Sequence, residues 1–295
     1  VKERGLLDGK LVMFTDSTFN SHRKWFLQFL EEYRRRIPIP FSCNLRVDLV
    51  DETQVKALAE SGCDNVRFGI ESGDYGIRNR ILDKHCTDEQ IYNVARLLKK
   101  YNVPFITFNL FACPEETYEQ AWKTIRINQR IKPVGVQCMI FTLFPGIRAT
   151  ESAIEKGLIC KEDLDLLNQS PYNLHLSLLT RYPERSPDAA RICNLQKFSI
   201  LAIRLPILES IIRLLVKLPH QNLFSSIFSV SQAWEYRKWS SRTTFRRLLY
   251  EGLLNYQALV EAHGGEGSIL RKISLVLQKR EGLKRKSGHK GRHKT

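Results

Sequence analysis

DNVRFGIESGD, residues 64–74, is the stretch whose reading decides the fold. Its apolar core, VRFGI, runs straight into Glu71, Ser72 and Gly73. A buried strand that ends in a carboxylate, a hydroxyl and a glycine suits a site that holds a polar ligand at the mouth of a parallel sheet, because ligands gather outside the carboxyl ends of such strands.

Working outward, four similar apolar runs accompany it: LVMFT (11–15), FSCNLRV (41–47), PFITFNLF (104–111) and GVQCMIFT (135–142). Helical patterns lie between them. The repeat of ~25 to 38 residues is that of strand–helix units building a parallel sheet or barrel. Asp51 with Gln54, Thr87 with Gln90 and Thr117 with Gln120 each show capping-box spacing and mark helix starts. In the helix after Thr87, Ile91, Val94, Leu98 and Tyr101 form one apolar face for the core.

The residues that close each run are the candidate ligand contacts. The first run ends in Asp16 and Ser17; the second carries Asn44, Arg46 and Asp48 on alternate positions, expected to point to one side; the third delivers Glu71 and Ser72. Asn109, Phe111 and Cys113 close the fourth, and Phe141, Phe144, Pro145 and Gly146 the fifth. Polar ends fit a zwitterion and a ribose, and aromatic ends fit a flat base, so the set suits a nucleoside-bearing ligand. Other readings stay open. Arg46 and Asp48 also read as a structural ion pair, Glu71 as a cap on the following helix, and Phe144-Pro145-Gly146 as a plain turn.

With 295 residues and 43% hydrophobic composition, the chain has enough apolar side chains for a folded core. No two of its seven cysteines are closer than 20 positions, which speaks against a disulfide framework or a local metal knuckle and for reduced thiols in the cytoplasm. No apolar stretch approaches the ~18 residues of a membrane span. Of the net charge of +15, seven units come from residues 279–295, where eight Lys or Arg face one Glu. That tail reads as solvated and disordered, with weak contact to RNA or an anionic membrane as its sharper alternative.

FTDSTFN, NLRVDLVDETQVKALAESGCDNVRFGIESGD, CPEETYEQAWKTI and FTLFPGIRATESAIEKGLI, in that order and spacing, resemble the second to sixth strand–helix units of a radical S-adenosylmethionine enzyme, in the class with an upstream cobalamin-binding domain. The likeness covers residues 11–159. It implies an α/β fold, a partial (βα)6 TIM-like barrel of five parallel strand–helix units, and an enzyme acting by hydrogen abstraction or methyl transfer. The implied cofactors are S-adenosylmethionine and, in the full-length protein, a [4Fe-4S] cluster and cobalamin. By the same resemblance Asp16 and Ser17 meet the methionyl amino group and Arg46 the methionyl carboxylate. Glu71 and Ser72 meet carboxylate or ribose hydroxyls, while residues 110–114, with Leu110 and Phe111, and Phe141 to Pro145 flank adenine.

The family's CxxxCxxC loop has no counterpart here. Three close thiolates are what leave one iron of the cluster open, so the chain is expected to be inactive alone and to work with an upstream part of the same protein; no metal ligands are assigned. Residues 161–276 read as a mainly helical C-terminal region and 277–295 as the basic tail, after a barrel over 1–160. In the helical region Ile207, Ile211, Leu214, Leu215 and Leu218 form an apolar stripe between Pro206 and Pro219, flanked by Arg204, Arg213 and Lys217. It is expected to pack on the open side of the barrel, or else to dock on a membrane or line a channel for a lipid-like substrate. Trp234, Tyr236, Trp239 and Phe245 lie among basic residues and serve packing or an anionic partner equally well. The runner-up to the enzyme is a cluster-free barrel remnant that binds RNA or a membrane surface; otherwise the substrate is a small or lipid-like molecule.

Overall fold

In the computed structural model, which describes residues 11–169, 176–219 and 222–239, the apolar runs become strands β1 (Val12–Met13), β2 (Phe41–Asn44), β3 (Cys63–Glu71), β4 (Phe105–Phe111) and β5 (Gly135–Ile140). All pair parallel, in sequence order, and curl into the expected half-barrel. Helices α1 (Arg23–Arg36), α2 (Glu52–Glu60), α3 (Asp88–Lys100) and α4 (Tyr118–Ile131) carry the chain between successive strands, and α5 (Arg148–Glu155) follows β5. Each of the three capping boxes is formed in both directions, the side chain of Asp51, Thr87 or Thr117 accepting from the Gln backbone while the Gln side chain reaches back. Two orphan N–H groups are satisfied at each start, which fixes where the helices begin.

Period-two alternation sorts the strand side chains. Phe41, Cys43, Val66, Phe68, Ile70 and Phe105 pack with Phe26 and Leu30 of α1, Leu58 of α2, and Val94 and Leu98 of α3. The alternate positions form the other face, where Arg67 Nη2 donates to Ser42 Oγ at 2.7 Å and Met13 and Met139 are exposed. Tyr101 closes the apolar side of α3 half-buried, its hydroxyl donating to Glu52 at 2.8 Å.

One expectation needs correction. β2 stops at Asn44, so Arg46 and Asp48 do not alternate along a strand. The Asn20 side chain takes the place of a strand neighbour, accepting from Arg46 N at 2.9 Å and donating to Arg46 O at 3.2 Å, and residues 47–49 turn into a 3-10 helix. The described part of the helical region lies against the last strand through its longest helix in this unit, α7 (Ala189–Arg204), which packs on α4 and β5. Gln196 Nε2 donates to Cys138 O at 2.7 Å and Arg204 Nη1 to Pro133 O at 2.8 Å, so α7 bonds carbonyls of the last strand and of the residues leading into it.

The compact unit Val1–Gln221 also holds α6 (Asp165–Gln169) and α8 (Glu209–Leu215), while α9 (Asn222–Trp239) belongs to a second unit, Asn222–Thr295. In α9, Trp234 and Tyr236 are exposed. Phe245 and the basic tail lie outside the described residues.

Two buried features fix α4 against the sheet. Gly73 N donates to Thr124 Oγ1 at 2.7 Å, and a Cβ on Gly73 would lie 2.2 Å from backbone atoms of Lys123 and Thr124. Glu116, in the loop before α4, accepts from Cys113 N at 3.1 Å; burial pushes its carboxyl up to about 8. Burial also pushes the Lys197 amine of α7 down to about 7.

Gly73→Ala should therefore lower stability by about 2 kcal/mol or more, because the obstacle is backbone that cannot swing aside; the urea midpoint measures it. Glu116 is protonated in the folded chain and ionised in the unfolded one between about 4.5 and 8, so folding binds a proton there and stability falls as pH rises, by up to about 1.4 kcal/mol per pH unit. Lys197 acts in the opposite sense, but only above about 7. Urea unfolding of Glu116→Gln from pH 5.5 to 7 should show a flatter slope than the parent.

Candidate functional site

The carboxyl ends of β1, β2 and β3 converge on a set of alternating charges. Asn44 Nδ2 donates to Asp16 O at 2.9 Å, tying the loop that carries exposed Asp16 and Ser17 to the end of β2. Arg46 forms a two-pronged pair with Asp48, Nε to Oδ1 at 3.0 Å and Nη2 to Oδ2 at 2.7 Å, with its side chain 47% exposed. Burial opposes the charge on Asp48, but the hydrogen bond and charge of Arg46, helped by Lys84, hold its carboxyl below the ordinary value. Lys84 Nζ in turn donates to Glu71 Oε1 at 2.8 Å.

Glu71 owes its position to a break in the strand. Between Gly69 and Glu71 the β3–β4 register skips Ile70, a bulge, and Glu71 adopts φ of 63°, in the left-handed region. Its carboxylate and the Lys84 ammonium fold back over Gly69, where a Cβ would stand 1.8 Å from Glu71 Oε1 and 2.5 Å from Lys84 Nζ. A glycine inside a strand signals such a bulge or close approach, so this feature was open to detection in the sequence.

Arg78 holds this corner from behind. Its fully buried side chain donates through Nε to Cys86 O at 2.8 Å, through Nη1 to Ser72 O at 2.8 Å, and through Nη2 to Asp88. The end of β3, the loop that bears Lys84 and the first turn of α3 are thereby joined. No local sequence pattern marks Arg78 or Lys84 for these roles, because their partners are chosen by the fold.

The remaining candidates divide into two groups. Leu110 and Phe141 share one apolar cluster at the ends of β4 and β5, with Pro145 and Phe144 exposed beyond it. Ser72 and Phe111 are fully buried, and the Ser72 hydroxyl accepts from Asp74 N at 3.2 Å. Asn109 faces α4, where Asn128 Nδ2 donates to its side-chain oxygen at 2.7 Å. The structure thus brings Arg46, Glu71 and the Asp16 loop to the carboxyl ends of β1 to β3, and Leu110 with Phe141 to those of β4 and β5 at the same end of the sheet. A polar rim beside an apolar wall can receive a molecule that is charged at one end and flat at the other.

Residues 2–127 match the radical SAM superfamily. A curated relative, the "uncharacterized methyltransferase PH0819" of Pyrococcus horikoshii, is 29% identical over 151 residues, 51% of this chain and 33% of that protein. The chain thus spans about a third of the length of that relative. The solved structure of the radical S-adenosylmethionine methyltransferase TsrM from Kitasatospora setae, with cobalamin and [4Fe-4S] cluster bound, is similar over 52% of this chain and 31% of its own, at 21% identity and a TM-score of 0.45. The same enzyme with tryptophan substrate and the SAM analog aza-SAM matches 46% of this chain and 27% of its own, at 21% identity and a TM-score of 0.40. The residues that match the radical SAM superfamily, 2–127, include four of the five strands.

Proposed function

We propose that this chain is the S-adenosylmethionine-binding and substrate-facing part of a radical S-adenosylmethionine enzyme of the cobalamin-associated class, acting by methyl transfer or hydrogen abstraction. The single observation that carries this reading is Glu71, set in a left-handed conformation at the carboxyl end of a central parallel strand, with its carboxylate over Gly69 and beside Lys84. Strain at a strand mouth is kept where a group must be presented. The name of the Pyrococcus horikoshii relative favours methyl transfer.

The residues fit the ligand charge for charge. Arg46, exposed and paired with Asp48, receives the methionyl carboxylate by exchanging one carboxylate for another on the same planar fork. Asp16 and Ser17 receive the ammonium, and Glu71 the ribose hydroxyls. Leu110, Phe141 and Pro145 give the adenine an apolar surface. Ser72 and Phe111, buried beneath, keep the strand ends in place. When bound, the cofactor supplies a sulfonium with carbon–sulfur bonds activated for cleavage.

A [4Fe-4S] cluster does not fit the cysteines of this chain. Cys43, Cys86, Cys113, Cys138 and Cys193 are buried, and among the described residues no three ligands converge on a metal site. The ligands for a cluster therefore lie outside this set, and no step is assigned through it.

Equilibrium dialysis of the chain against S-adenosylmethionine tests the reading. A charged hydrogen bond contributes roughly 1.5 to 3 kcal/mol, so Glu71→Gln should weaken binding about ten- to a hundredfold. Gly69→Ala keeps both charges but displaces them, and should weaken binding similarly with little change in melting temperature, since the obstacles are ends of flexible side chains. Unchanged affinity in both variants would assign Glu71 to anchoring the loop, and absence of binding by the parent chain would overturn the reading.

A further inference from the structure

Beyond the sheet, α8 and the turns that flank it expose Leu205 (48%), Ile207 (88%), Ile211 (56%), Leu214 (66%) and Leu218 (45%). Ile212 and Val216, on the opposite side, are buried in the protein. The helix is thus apolar on both sides, and a solvent-facing helix is ordinarily polar outward. Five large aliphatic side chains grouped on one short segment form the kind of patch that marks a contact surface.

The polar groups nearby are arranged to leave that patch clear. Arg213 is drawn inward, donating to Glu119 at 2.7 Å and Glu209 at 2.9 Å, and lies 4.5 Å over the Trp122 ring of α4. On or beside this segment Arg126, Arg204 and Lys217 stand outside the Arg213 cluster with Glu119 and Glu209. The whole chain carries +15, and its last seventeen residues add eight cations against one Glu.

We infer that α8 and the turns that flank it dock this protein on an anionic membrane surface. The large side chains of the exposed ridge are aliphatic, without the aromatic or arginine anchors on which specific protein interfaces centre. An acyl layer demands only apolarity. The basic surround matches anionic headgroups, and an apolar face combined with a polybasic segment is the two-signal arrangement that gives stable peripheral attachment. Among the described residues no helix is long and apolar enough to cross a membrane, so the contact is with the surface. This inference stands apart from the cofactor reading.

Co-sedimentation with vesicles tests it on the full chain. Binding to vesicles of phosphatidylcholine with 30% phosphatidylserine should exceed binding to phosphatidylcholine alone by at least tenfold. Ile207→Asp combined with Leu214→Asp should reduce it at least tenfold while leaving the melting temperature unchanged. Failure of the parent to bind overturns the inference, as does undiminished binding by the double variant, which would leave general surface charge as the cause. A double variant that converts a dimer to a monomer in sedimentation would show a second copy on this face. A lowered melting temperature would show that the chain's own remaining residues cover it; either result overturns the membrane assignment.

Discussion

A buried guanidinium is costly unless its donors are used, and Arg78 uses them on three points of the connection between β3 and α3: Ser72 just after β3, Cys86 in the following loop, and Asp88 in the first turn of α3. The loop between β3 and α3 is thereby pulled under the strand end. Lys84 then lies within reach of Glu71, and Glu71 can hold its left-handed backbone with the carboxylate folded over Gly69. Without that anchor a loop of this length would have many arrangements, and the charge alternation from Arg46 to Glu71 would have no fixed geometry.

The two faces of the sheet are held by different chemistry. On the helix side, aromatic and aliphatic side chains of β2, β3 and β4 fill the space beneath α1 to α3. Beneath α4 the contact turns polar: Thr107 Oγ1 donates to Asn128 Oδ1 at 2.6 Å, Asn128 Nδ2 to Asn109 Oδ1 at 2.7 Å, and Gly73 N to Thr124 Oγ1 at 2.7 Å. A satisfied buried network of this kind sets a helix's rotation and height more sharply than apolar contact, because each bond has a direction. It places the start of α4, with Glu116, directly behind the mouth. On the opposite face Arg67 donates to Ser42 Oγ, and Met13 and Met139 are exposed.

Helix α4 also carries the surface that faces away from the sheet. Trp122 lies under Arg213, and Glu119 and Glu209 draw that guanidinium inward. The same interactions that seat α8 on α4 leave Ile207, Ile211 and Leu214 directed to the outside. Packing on one side and exposure on the other are two outcomes of one set of contacts.

Local pattern determined a good deal of this protein. The apolar runs fixed five strands and their parallel order, and three capping boxes fixed helix starts, since both depend on residues close in the chain. The polar residues around Arg46 and Glu71, the candidate ligand contacts, were legible on the same ground and stand near the carboxyl ends of β2 and β3. Tertiary structure decided the rest. β2 ended at Asn44 because Asn20, 26 residues from Arg46, supplied the competing hydrogen bonds. Ser72 and Phe111 turned inward because alternation and the bulge at Ile70 set their direction. α7 went to the last strand, where carbonyls at and just before it could accept from Gln196 and Arg204. For β2 and α7 the deciding partner is remote in sequence, so the energy that settles the conformation is absent from any local window and exists only when the chain has folded.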